Sequence, residues 1–147
     1  MRENPLIRTD AVSFSRGSKE TEIKVTINLD GTGKNDIHTG IGFFDHMLEG
    51  FAKHGVFDLD CTVDGDLHVD GHHTVEDTGI VLGEAIKKAV GDKKGMKRYG
   101  FFILPMDDAL ALCAIDICGR PYLNFECDFT FNIEMLEGNT VQNINVK

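Results

Sequence analysis

The side chains best suited to chemistry cluster in one stretch, Asp70-Gly71-His72-His73-Thr74-Val75-Glu76-Asp77. Two adjacent imidazoles are followed three residues on by a carboxylate, and an apolar helical pattern starts at Val75. On a helix, His72 and Glu76 lie one turn apart (i, i+4) and His73 and Glu76 at i, i+3, so all three fall on or near one face. The two imidazoles stand about 100° apart around the axis, an angle that suits two neighbouring metal ions better than one. Imidazole nitrogen with carboxylate oxygen is a ligand set for zinc, manganese, iron or nickel. A plain helix N-terminus, with Asp70 as N-cap, accounts for Asp70, Glu76 and Asp77. It gives no reason for two histidines in a row. Metal binding is the favoured reading, provided other ligands come from elsewhere in the chain.

His46, in Gly42-Phe43-Phe44-Asp45-His46-Met47, lies beside an apolar helical stripe. Alone it reads as a packed or solvated residue; beside His72, His73 and Glu76 it becomes a third imidazole from a facing helix. His68, between Leu67 and Val69 on the polar face of a short expected strand, reads as a supporting or surface residue at least as readily as a ligand. His38 in a loop and His54 at a helix end, where a cation favours the dipole, read as solvated, although His54 could face the same cleft. Arg98 and Arg120 sit at turns beside strands, and guanidinium is the planar donor suited to phosphate. Each alone is an ordinary surface charge; two of them in an acidic chain raise a phosphate reading modestly. Glu20, at the head of an alternating strand, is either a solvated edge carboxylate or a general base facing the metal.

The elements that must position these groups follow from hydrophobic periodicity. Residues 11–15 and 20–29 read as strands, the second alternating Ile23, Val25, Ile27 and Leu29 with polar residues. Asp30-Gly31-Thr32-Gly33 ends it as a turn, and a polar link leads to a helix over residues 42–54. That helix carries Phe43, Phe44, Met47, Leu48 and Phe51 on one stripe, with Gly55 in the C-cap role. Phe57 to Val63 and Leu67 to Val69 read as two short strands joined through Asp64-Gly65. The helix opened by the histidine pair runs through Val81, Leu82, Ala85, Ile86, Ala89 and Val90 to a basic turn at Lys93-Lys94-Gly95. Strands are then expected at Gly100 to Leu104, Leu110 to Ile117 and Tyr122 to Phe131. Strands, helix, strands, helix, strands is the order of an α+β layer, with helices on one face of a mostly antiparallel or mixed sheet.

At 147 residues the chain is long enough for one domain with a real core. A formal charge of −9 argues against nucleic acid or an anionic membrane as the main partner, yet a few local cations suffice for one phosphate. No apolar run approaches a membrane span, and no glycine-rich phosphate loop precedes a helix. Cys61, Cys113, Cys118 and Cys127 form no CxxC pair, so reduced thiols and a cytoplasmic location are expected.

From about residue 8 to about residue 128 the chain resembles imidazoleglycerol-phosphate dehydratase of histidine biosynthesis. The blocks that carry the resemblance include Leu29-Asp30-Gly31-Thr32-Gly33, Gly42-Phe43-Phe44-Asp45-His46-Met47-Leu48, Gly65-Asp66-Leu67-His68 and His72-His73-Thr74-Val75-Glu76-Asp77. Lys97-Arg98-Tyr99-Gly100, Pro105-Met106-Asp107-Asp108 and Cys118-Gly119-Arg120-Pro121 continue it in order. The resemblance implies a manganese-dependent hydro-lyase that removes water from a phosphorylated imidazolyl glycerol. It also implies a large homo-oligomer with sites between subunits. By residue, it implies His46, His72, His73 and Glu76 as metal ligands for two ions, and Glu20 as the group moving the proton. Arg98 and Arg120 become phosphate contacts, and His54 joins these residues around the substrate. The implied fold is a ribosomal protein S5 domain 2-like repeat. Its second copy is expected to be incomplete, since no second HHxxE follows Glu76 and residues 132–147 form a divergent tail. The alternative expectation is therefore a catalytically impaired metal-binding fragment or subunit. A zinc hydrolase is disfavoured, because the order is HHxxE and not HExxH.

Overall fold

The computed structural model describes residues 11–120 and the short paired strands Glu134–Met135 and Asn139–Thr140. The expected strand at Tyr122–Phe131 and most of the expected tail lie outside the described residues. The chain divides into two compact units, one around Ile7–Asp92 and one around Lys93–Asp128.

The first unit is a four-stranded sheet carrying two helices. Its strands are β1 (Val12–Gly17), β2 (Thr21–Asn28), β3 (Asn35–His38) and β4 (Asp58–Gly65), in the order β1-β2-β4-β3. β1–β2 and β2–β4 pair antiparallel and β3–β4 parallel, so the sheet is mixed, as the α+β reading expects. Alternation decides the faces: Ile23, Val25 and Ile27 of β2 are buried, opposite Val63, Cys61 and Leu59 of β4. The helices α1 (Gly42–Gly55) and α2 (His72–Val90) cover that face with Leu48 and Ala52, and with Val81 and Ala85.

Four local expectations are corrected. β3 arises where a polar link was expected, because the parallel ladder to β4 supplies the pairing and only Ile37 is buried. Leu67–Val69 is a turn and not a strand: β4 runs on to Gly65, and the Val69 N–H closes on the Asp66 carbonyl at 2.7 Å. The N-cap of α2 is Gly71, while Asp70 one residue earlier accepts the His72 N–H at 2.8 Å. The left-handed residue after α1 is Val56 and not Gly55. Gly55 answers a different need, since a Cβ there would stand 2.4 Å from the Phe57 ring. The apolar stripe of α1 is also wider than its buried part: Leu48 is buried, whereas Phe43, Met47 and Phe51 are exposed.

The second unit is a hairpin of β5 (Tyr99–Met106) and β6 (Ala109–Asp116), paired antiparallel across Asp107-Asp108. Both of its faces are exposed.

Candidate functional site

The first turn of α2 is held in place from below. Arg16 on β1 and Thr21 at the head of β2 both donate to the Asp77 carboxylate, at 2.7 and 2.6 Å. Thr74 and Thr78, one turn apart, turn to the buried side, which leaves His72, His73 and Glu76 toward the rim. Gly65 allows this close seat, because a Cβ there would lie 2.1 Å from the Thr74 hydroxyl.

Within that turn, His72 Nε2 and Glu76 Oε2 are 3.0 Å apart, the i, i+4 pair expected from the spacing. The two imidazole rings meet edge to face, their centroids 5.6 Å apart. His73 meets the residue just past β4, its Nδ1 lying 2.9 Å from Asp66 Oδ2. That hydrogen bond raises the His73 pKa above the ordinary histidine value, burial opposes it, and the nearby Glu20 and Asp70 charges add to the rise. Glu20 itself is exposed, in the turn before β2, and its carbonyl accepts the Asp66 N–H at 3.0 Å. Glu20, Asp66, His73 and Asp70 thus share one neighbourhood.

The other expected site residues are placed as follows. His46 is exposed on α1, and its side chain is outside the hydrogen bonds and ion pairs described above. His54 is exposed in the last turn of α1, beside Lys53, where basic groups favour the helix dipole. His68 is exposed in the Leu67–Val69 turn. His38 pairs with Asp36 at 3.0 Å on the surface. In the hairpin unit, Arg98 gives two of its donors to Asp116, at 2.6 and 2.9 Å, and lies over the Tyr99 ring. Arg120 is exposed, and its carbonyl faces the Cys118 thiol.

Whether these groups fit a divalent cation is decided by their donors. The His72 nitrogen and Glu76 oxygen, 3.0 Å apart, are of the donor types that would hold one divalent cation side by side. His73 keeps Nε2 free of any described partner. Among the described residues, however, no three His, Cys, Asp or Glu side chains converge on one point. Among the described residues, His72 and Glu76 would supply two donors to a divalent cation, and further donors would have to join them. Asp66 faces His73 across a loop, so no helical or strand spacing announces it in the sequence.

Comparison with known proteins extends this picture. Residues 39–145 match the family model for imidazoleglycerol-phosphate dehydratase. The chain is 64% identical over 117 residues to the imidazoleglycerol-phosphate dehydratase of Lachnoclostridium phytofermentans, covering 80% of this chain and 60% of that protein. It is 60% identical over 114 residues to the corresponding protein of Acetivibrio thermocellus, covering 78% and 58%. Among solved structures it is similar to imidazoleglycerol-phosphate dehydratase from Staphylococcus aureus, with a TM-score of 0.70 and 35% identity over 84% of this chain and 66% of that one. It is likewise similar to IGPD from Pyrococcus furiosus in complex with (S)-C348, with a TM-score of 0.64 and 41% identity over 78% and 60%. The chain spans about 60% of the length of the curated relatives it matches.

Proposed function

Since the chain belongs to the imidazoleglycerol-phosphate dehydratase family, we propose that it serves histidine biosynthesis by eliminating water from D-erythro-imidazolylglycerol phosphate to give imidazole acetol phosphate. The observation that carries this reading is the His72–Glu76 pair with His73 beside it, inside the segment that matches the family. His72, Glu76, His73 and His46 would hold manganese, two ions per site, which would supply Lewis acidity toward the substrate's imidazole ring. Glu20 takes the proton from the carbon that loses hydrogen, a role supported by an exposed carboxylate close enough to shift His73. Arg120 and Arg98 receive the phosphate, and Arg98 does so by exchanging the Asp116 carboxylate for the substrate's anion. His54 completes the substrate contacts.

A homo-oligomer with sites between subunits is supported by the exposed apolar hairpin. The cytoplasm is supported by the free thiols of Cys61, Cys113 and Cys118. Among the described residues, no helix is long and apolar enough to cross a membrane.

The test is dehydration of the imidazolylglycerol phosphate by the 147-residue chain, with and without manganese. Turnover should vanish with a chelator and return with manganese. His72→Ala should lower bound manganese, whereas Glu20→Gln should retain the metal and lose turnover. Turnover indifferent to chelation would remove the metal from the reading, and wild-type metal content in His72→Ala would remove His72 from the ligand set. The ligand set left open among the described residues also favours a second reading, a metal-binding subunit that does not turn over alone. Bound manganese without product selects it.

A further inference from the structure

Asp66 is not accounted for by the fold or by the proposed chemistry. Its backbone is pinned at both ends: the N–H donates to the Glu20 carbonyl at 3.0 Å, and the carbonyl accepts the Val69 N–H at 2.7 Å. Its side chain is only 15% exposed. Oδ1 is buried without a described hydrogen-bond partner, while Oδ2 meets His73 Nδ1 at 2.9 Å. Seating a carboxylate with half of its acceptors unused is costly, so this arrangement calls for a reason beyond loop closure. A carboxylate accepts and does not donate, so Nδ1 must carry the proton in this pair. The neutral ring then presents its lone pair at Nε2. This is the second hydrogen bond that orients metal-binding histidines.

From this geometry we infer that Asp66 is a positioning residue, which locks His73 in the Nδ1–H tautomer and so presents Nε2 to a divalent cation. The inference rests on the proposed role of His73 as a ligand, and the test separates the two.

The metal-free, ¹⁵N-labelled 147-residue chain is observed by two-bond histidine ring correlation, at a pH where the ring is neutral, with His73→Gln identifying the signals. Manganese affinity is read in parallel from the loss of the free-ion paramagnetic signal. The wild-type ring should be protonated at Nδ1. Asp66→Ala should move the proton to Nε2 and weaken manganese binding about 10- to 100-fold. Asp66→Asn, whose amide oxygen still accepts the Nδ1–H, should recover part of both. If Asp66→Ala fails to fold, the same-sized Asp66→Asn decides through an intermediate affinity and a mixed tautomer. A wild-type ring protonated at Nε2 overturns the inference. So does wild-type manganese affinity in Asp66→Ala alongside weakened binding in His73→Gln, an outcome that spares His73 as a ligand. Undiminished binding in His73→Gln removes the ligand role and, with it, the purpose assigned to Asp66.

Discussion

Single side chains fix the loops of this chain more firmly than its surface composition suggests. Asp58, at the start of β4, gathers the turn after β2: its Oδ1 accepts the Thr32 N–H at 2.7 Å, the Thr32 hydroxyl at 3.1 Å and the Lys34 N–H at 3.1 Å. The Thr32 backbone bond, ahead of the other donors, holds the Asp58 carboxyl below the ordinary 3.8. A depressed folded-state value means stability that is present above 3.8 and fades as the pH falls through the lower value. Asp58→Asn should therefore be less stable than the wild type in urea at neutral pH, and the gap should close on acidification below 3.8. A constant gap along the acid limb would show that the turn does not use the charge. The same scale fixes the character of the Cys61 thiol. Burial among the core residues pushes the Cys61 thiol up to about 11, which marks a packing residue and not a nucleophile.

Between elements, the close seat of α2 on β4 decides where the histidine pair emerges. A Cβ at Gly65 would meet the Thr74 hydroxyl at 2.1 Å and its Cβ at 3.3 Å. Gly65→Ala should therefore cost about 1–3 kcal/mol in chemical denaturation, the range for a forced misfit in a packed interior. In a Thr74→Ala background the oxygen is gone, and the cost should fall by about 1 kcal/mol. Equal costs in both backgrounds would mean that the helix does not rest on this contact. Asp77 completes the seat by tying the first turn of α2 to β1 and β2. These contacts explain why His72 and Glu76 face the rim while Thr74 and Thr78 are buried.

Taken whole, the molecule is unevenly consolidated. β2 lies against α2 and β4 against both helices, with Ile27 and Leu59 almost wholly buried, whereas Phe101 is 82% and Leu112 72% exposed on the hairpin. A two-stranded ribbon without a covered face is marginal in water. Backbone amides of β5 and β6 should exchange with solvent well before those of β2 and β4. Protection of the hairpin equal to that of β2, persisting on dilution, would show that the ribbon is stable without self-association.

Residue order alone was enough for the alternating β2, the two helices, the i, i+4 pairing of His72 with Glu76, and membership of a family, because these depend on spacings along one element or on runs of residue type. The strand at Asn35–His38, the turn at Leu67–Val69, the left-handed Val56 and the union of His73 with Asp66 were settled only in three dimensions. Each depends on what a neighbouring element or loop supplies: a ladder partner, a carbonyl, a ring or a carboxylate. Periodicity along the chain carries no record of such partners.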